Sequence, residues 1–316
     1  MAGGFEMTPI REHATQYLEM RRALGFRLST FGLRLISFVG YLEAQDMNVI
    51  TTEAAVTWAM ATGRDVEEST LSARLRVVRL FAQHLAVFDP ATEIPPIDLF
   101  SHRYSRRPPH IYSSEETTAI LDAADKLHPP LRGVTLRAVI SLLAVTGMRS
   151  GEACGLDLSD VAFDDDMLTV RNTKYGKHRY VPIHPTTTDA LRRYRTIRDQ
   201  LCPVRHTPAF FVSTWGNRLI PTYISHVFSD LRRKAKVTVS AGERAPRVHD
   251  LRHSFATKTL VEWYRDGVDV AARVSLLSTY LGHASPEDTY WYLTGTPELL
   301  ARAAGRLDGA FGDENE

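Results

Sequence analysis

Near its C-terminus the chain reads Leu281-Gly282-His283-Ala284-Ser285-Pro286-Glu287-Asp288-Thr289-Tyr290-Trp291-Tyr292, with His283 and Tyr292 on either side of a helix start. Gly282 suits the end of one helix, because glycine takes a left-handed φ cheaply. Ser285 can cap the next, with Pro286 in its first turn and Glu287 and Asp288 favoured there by the dipole. Thr289 and Tyr292 then share a helical face. A tyrosine hydroxyl beside an imidazole is a candidate nucleophile with a proton partner, although such a tyrosine by itself reads equally as half-buried packing. Two other segments add to it. In Thr146-Gly147-Met148-Arg149-Ser150-Gly151-Glu152, Gly147 closes an apolar helix over Leu136 to Val145, and Glu152 can orient the Arg149 guanidinium if Ser150 opens a new turn. In Val248-His249-Asp250-Leu251-Arg252-His253-Ser254-Phe255, a helix would put His249, Arg252 and His253 on one face and Leu251 and Phe255 on the apolar side. Two arginines, histidines, an orienting carboxylate and a tyrosine suit a phosphodiester. Guanidiniums hold non-bridging oxygens as charge grows on a five-coordinate phosphorus, and histidines move protons near neutral pH. A tyrosine attacks without water and keeps the bond energy in a phosphotyrosine.

In order and wide separation, these segments resemble the tyrosine recombinases, or phage-type integrases: Thr146 to Glu152, His249-Asp250-Leu251-Arg252-His253-Ser254-Phe255-Ala256-Thr257, and Leu281-Gly282-His283 with Thr289 and Tyr292. The resemblance implies Arg149 and Arg252 as a phosphate clamp and His249 as proton-transfer partner. It implies His283 as a second hydrogen-bond donor, Tyr292 as nucleophile, and Glu152 and His253 as supports. Tyr290 is off the family spacing and reads as structural. The family also carries a catalytic lysine in a β-hairpin. The chain has six lysines, none before Lys126. Two alternating runs, Met167 to Val170 and Arg179 to Ile183, flank Thr173-Lys174-Tyr175-Gly176-Lys177 and read as such a hairpin. Lys174 matches the family pattern as general acid on the leaving 5′ oxygen, and Lys177 fits a phosphate contact. Both are also ordinary residues for a solvated turn.

The expected fold follows from the same resemblance and from the pattern of elements: mainly α with a small β-sheet, an N-terminal helical core-binding bundle and an α+β catalytic domain. The bundle is read over residues 1–88 as four helices, Arg11 to Leu24, Thr30 to Gln45, Thr52 to Ala61 and Glu68 to Val87. The second carries Leu33, Leu35, Ile36, Phe38, Val39 and Leu42 on a broad apolar stripe. The fourth turns Leu71, Leu75, Val78, Leu80, Phe81 and Leu85 inward and leaves Arg74, Arg76 and Arg79 polar, either to meet DNA or as a solvated face. Residues 89–110 hold five prolines and Arg103, Arg106 and Arg107, which reads as a linker along a nucleic-acid backbone. The catalytic domain, 111–316, opens on a capping box of Ser113 and Glu116 and closes on an amphipathic helix, Pro297 to Leu307, that docks on a neighbouring protomer in the family or packs on its own domain.

Composition sets the outer limits. With 316 residues, 44% hydrophobic and 24% charged, the chain is an ordinary globular protein long enough for two cores. No apolar stretch reaches the ~20 residues that cross a bilayer, and the first residues lack a signal-peptide pattern. Two cysteines, Cys154 and Cys202, favour a reducing cytoplasm over a disulfide scaffold. Net charge is only +1, so a DNA partner must be met by local fields. Candidate fields are the clusters Arg192, Arg193, Arg195 and Arg198; Arg232, Arg233, Lys234 and Lys236; and Arg244 and Arg247. The expected partner is duplex DNA carrying a specific site, engaged by a homo- or hetero-tetramer, with no cofactor, metal or membrane. Three other readings compete. A zinc hydrolase could use His249 and His253 at ligand spacing, but Asp250 stands where its glutamate should and Arg252 repels a cation. A type IB topoisomerase shares the phosphotyrosine chemistry, although the Leu281-Gly282-His283 motif and the bundle favour recombination. A silent DNA-binding regulator would lack a catalytic residue, and every expected position is filled.

Overall fold

The computed structural model describes residues 9–26, 28–61, 66–100, 108–171, 178–239, 244–283, 285 and 288–290, and the chain divides into two compact units between Arg106 and Arg107. It is mostly helical with one small sheet.

In the first unit, α1 (Pro9–Ala23), α2 (Ser29–Ala44), α3 (Thr52–Met60) and α4 (Glu68–Leu85) bury one core built on Tyr17, Leu35, Phe38, Leu42, Trp58, Val78 and Phe81. Thr51 caps α3 by accepting from the Ala54 amide at 3.1 Å. Arg11 and Glu43 pair α1 to α2, with Nε donating to Oε1 at 2.7 Å. Three expectations shift. Leu33, placed on the apolar stripe of α2, is 76% exposed, because the stripe that meets α1 and α4 narrows to Leu35, Phe38, Val39 and Leu42. Arg74, expected on the polar face, instead lies over the Trp58 ring at 3.9 Å and donates to the Trp58 carbonyl at 2.8 Å. Residues 89–100, read as the start of a linker, are bonded back onto this unit. The Glu93 amide donates to Ile50 O at 2.9 Å, the Glu93 carboxylate accepts from the Thr52 amide at 2.8 Å, and Ser72 Oγ donates to Phe100 O at 3.2 Å.

The second unit is built around α6 (Pro130–Thr146), which α5 (Ser114–Asp125), α8 (Pro185–Leu201) and α10 (Asp250–Arg265) pack against. Leu136, Val139, Ile140, Leu142 and Leu143 make α6 apolar nearly all round, as a central helix requires. Ser113 and Glu116 form the expected capping box on α5. The short α7 (Ser150–Gly155) leads into an antiparallel sheet in the order β1 (Val161–Ala162), β2 (Met167–Val170), β3 (Arg179–Pro182). The expected strand pairing is present, with Leu168 opposite Val181 and Val170 opposite Arg179. α9 (Pro221–Lys234) and α11 (Val270–Leu281) complete the unit. Arg198, expected in a surface basic cluster that could meet DNA, is fully buried and donates to Phe210 O at 2.6 Å and to Asp199 at 2.8 and 2.6 Å. Leu191, Tyr194 and Arg198 recur at helical spacing on the inner face of α8, so the aliphatic stem of Arg198 joins that face.

α6 and α11 both end on glycine in the left-handed region, Gly147 at φ 62 and Gly282 at φ 71. A Cβ on Gly147 would stand 2.6 Å from Phe255 Cδ1 and 3.0 Å from Leu281 Cδ2. Gly147→Ala therefore combines left-handed strain with overpacking and should cost about 2–4 kcal/mol in denaturant unfolding. Gly155→Ala, where a Cβ meets nothing within 4 Å, should stay within about 1 kcal/mol of wild type on the stabilising side. Equal midpoints for the two variants would show that the α6 turn is not the constraint described.

Candidate active site

The site forms where the ends of α6 and α11 meet. The last carbonyls of a helix lack intrahelical donors and carry the negative end of its dipole. At the end of α11, three consecutive carbonyls each receive a guanidinium. Arg179 Nε donates to Tyr280 O at 3.0 Å, Arg252 Nη2 to Leu281 O at 2.8 Å, and Arg149 Nη2 to Gly282 O at 3.0 Å. Arg252 also spans to the end of α6, with Nη1 donating to Gly147 O at 2.8 Å. It is 2% exposed, a buried charge dispersed over two helix termini. Arg149 keeps 40% of its side chain exposed.

Arg149 occupies the N-cap position of α7, which puts Glu152 in the first turn where it can reach back. Glu152 Oε2 accepts from the Arg149 backbone amide and Oε1 from Arg149 Nη1, both at 2.9 Å. The same carboxylate receives a fork from Arg179, Nη1 to Oε1 at 2.9 Å and Nη2 to Oε2 at 2.8 Å. Burial alone would raise the Glu152 pKa, but the hydrogen bonds and charges of Arg179 and Arg149 outweigh it and pull it down to about 2.

The histidines lie in the field of these arginines. His249 is the residue just before α10, and its ring meets that of His253 edge-on, 5.1 Å between centroids. Burial, then Arg252 and Arg247, lowers the His249 pKa. Burial, then His249 and Arg252, pushes His253 down to about 3. His283 follows Gly282, and its Nδ1 is 2.6 Å from the buried Thr289 hydroxyl. Burial, then Arg252 and Arg149, brings it to about 4. All three rings are therefore neutral near pH 7. Among the described residues no group of three or more His, Cys, Asp and Glu side chains is placed to hold a metal ion, and no helix is long and apolar enough to cross a membrane.

Arg149, Glu152, His249, Arg252, His253 and His283 are thus brought together from three stretches of chain. Lys174, Lys177, Tyr292, Arg103, Arg106, Arg107 and the helix expected over 297–307 lie outside the described residues. Arg74 and Arg76 belong to the first unit, where Arg76 lines a groove of about 550 Å³ with Arg21, Arg34 and Arg79. Sequence reasoning missed Arg179. The signal was present, because strand alternation puts Arg179 on the same face as the buried Val181, and an arginine turned inward needs a carboxylate.

These shifts set an acid limit. Between its ordinary 6.5 and its folded value near 4 or 3, each lowered histidine binds more protons unfolded than folded, so stability falls as pH falls through that window. Glu152, also lowered, extends the loss from its ordinary 4.5 toward 2. The unfolding free energy should decline from about pH 6.5 to 4, and His253→Gln should flatten that slope. An unchanged slope would show that His253 is not held neutral by the fold.

The sequence profile described as the phage integrase family matches residues 111–298. The chain is 42% identical over 313 residues to a Sinorhizobium fredii protein named "Putative integrase/recombinase y4rB", covering 97% of this chain and 99% of the relative. It is 34% identical over 224 residues to the tyrosine recombinase XerD of Mycobacterium tuberculosis, covering 69% of this chain and 66% of that one. In fold it is similar to the Tn1549 transposon integrase solved in complex with transposon right end DNA, with a TM-score of 0.66 at 17% identity over 95% of this chain and 99% of that chain. On the profile match and the near full-length relative, this chain belongs to the phage integrase family, the tyrosine recombinases.

Proposed function

We propose that this protein is a site-specific recombinase that cuts and rejoins duplex DNA through a 3′-phosphotyrosine, with Tyr292 as nucleophile, in the service of DNA integration, excision or transposition. The observation that carries the reading is the convergence of Arg149, Arg252 and His283 on the end of α11, nine residues before Tyr292 in the chain. In this reading the Tyr292 oxygen bonds to phosphorus as the bond to the 5′ oxygen breaks. Arg149, the exposed guanidinium, meets a non-bridging oxygen first, and Arg252 acts from behind it in a medium of lower dielectric. His249, neutral because it is buried among arginines, is able to take the tyrosine proton. With the Thr289 hydroxyl as donor to Nδ1, 2.6 Å away, His283 takes the Nε2–H tautomer and its ring becomes a donor to the phosphate. Lys174 gives its proton to the departing 5′ oxygen. Attack by a 5′ hydroxyl from another duplex reverses these steps and exchanges the strands, so no hydrolysis or ATP enters the balance.

Duplex DNA as partner, and a tetramer of this chain with itself or a related chain, follow from the need to hold two cut duplexes at once. The arginine-lined groove of the first unit supplies an electrostatic footprint, in which Arg76, Arg21, Arg34 and Arg79 serve phosphates while Arg74 is committed to Trp58. Arg103, Arg106, Arg107 and Lys177 are assigned the same phosphate role from the sequence pattern.

Incubating the full chain with a nicked suicide substrate in EDTA should trap a protein–DNA adduct that maps to Tyr292. Tyr292→Phe should abolish the adduct and leave DNA binding largely intact. Adduct formation by the Phe variant, or its loss in EDTA, would overturn the mechanism.

A substrate with sulfur at the bridging 5′ position tests the lysine, because its leaving group needs little protonation. Lys174→Ala should be slow on the oxygen substrate and largely restored on sulfur. Arg252→Ala should stay slow on both, by about 100-fold or more. Lys177→Ala should show weaker, more salt-sensitive binding instead. Restoration of Lys177→Ala in place of Lys174→Ala would exchange the two assignments.

A further inference from the structure

Glu152 is held by two arginines, and the second has no place in the mechanism above. Arg179 is 11% exposed and its guanidinium is fully engaged on one side of the site, forked onto both oxygens of Glu152 and bonded through Nε to Tyr280 O. It also lies flat against Gly282: a Cβ there would fall 2.6 Å from Nη1 and 2.9 Å from Cζ. The absence of a side chain at 282 is thus what lets Arg179 pass beneath the turn that presents His283. Arg149 bonds to the same Glu152 oxygen, Oε1, and to the carbonyl of the same Gly282. Arg179 therefore meets Arg149 at two points, a shared carboxylate and a shared turn. It begins β3, where it pairs with Val170 of β2.

We propose that Arg179 is a positioning residue for strand cleavage, resting on the recombinase reading above. It fixes the Glu152 carboxylate so that Arg149 is aimed at the scissile phosphate. The physical case rests on geometry. A carboxylate bonded by one flexible arginine follows that arginine, whereas a carboxylate locked by a bidentate fork is a fixed post against which Arg149 is oriented. Without the fork, Glu152 and Arg149 collapse into a simple pair, and the guanidinium turns from the phosphate toward the carboxylate. An ammonium at position 179 keeps the charge and loses the fork. A residue that only held the fold together would instead slow every variant by the same factor.

The test is a double-mutant cycle on single-turnover cleavage of the suicide substrate at saturating DNA, with thermal melts confirming that each variant is folded. Arg179→Ala should slow cleavage by about 100-fold, the scale of a misaligned catalytic group, with DNA affinity little changed. Arg179→Lys should be similarly slow although folded, and it carries the test if the Ala variant does not fold. In an Arg149→Ala background, the Arg179 substitution should slow cleavage by no more than about twofold. Multiplicative losses in the double variant would overturn the inference, because Arg179 would then act independently of Arg149. Restoration by Arg179→Lys would overturn the fork. A wild-type chain that forms no adduct at all defeats the recombinase reading and the inference with it, whereas adduct formation with a multiplicative cycle defeats the inference alone.

Discussion

Everything at the centre of this protein depends on the exposed carbonyls at the end of α11. A helix terminus leaves its last carbonyls without donors, and here three in a row are satisfied by guanidiniums from three distant elements: Arg179 from β3, Arg252 from α10 and Arg149 from the start of α7. Gly282 makes this possible twice over. Its left-handed φ ends the helix abruptly, and its missing side chain leaves room for Arg179. The residue that follows, His283, is delivered into the field of those same arginines.

The electrostatic consequence is a half-buried site with more positive charge than it neutralises internally. Arg149 and Arg179 share Glu152, Arg252 donates to the Gly147 and Leu281 carbonyls, and Asp250 is taken up by the Arg247 amide and guanidinium. Helix-end carbonyls spread the remainder, and they do so as dipoles fixed by folding, with no reorganisation left for the reaction. The histidines respond by shedding their protons, which lowers self-repulsion and leaves neutral rings able to accept. On the function proposed above, a chain of net charge +1 would address DNA through local fields, in the candidate active site and in the arginine groove of the first unit.

Much of the fold was legible because its signals are local. The Ser113–Glu116 capping box, the Thr51 cap, the glycine stops at 147 and 282 and the alternation of Met167–Val170 against Arg179–Pro182 each depend on residues a few positions apart. Where reading failed, a side chain had two possible environments and its type favoured the wrong one. Arg74 and Arg198 were read as facing solvent or DNA because they are arginines. One stacks on Trp58 and the other is buried in α8, because both stems cover apolar surface and both heads find carbonyls. Leu33 was read as buried because it is leucine, yet the bundle leaves that edge of α2 open.

For the candidate site, the sequence by itself determined the candidate groups and their order: Arg149 with Glu152 three residues on, His249 with Arg252 and His253 on one helical face, and His283 behind a helix-ending glycine. Those spacings are short enough for helix geometry alone to place them. Only the tertiary structure decided that Arg179 joins them, that Arg149 reaches a carbonyl 133 positions away and that Arg252 bridges two helix ends across 105 positions and 29. Such contacts are set by how α6, α10, α11 and the sheet pack together. No local periodicity encodes which carbonyl a buried guanidinium will find.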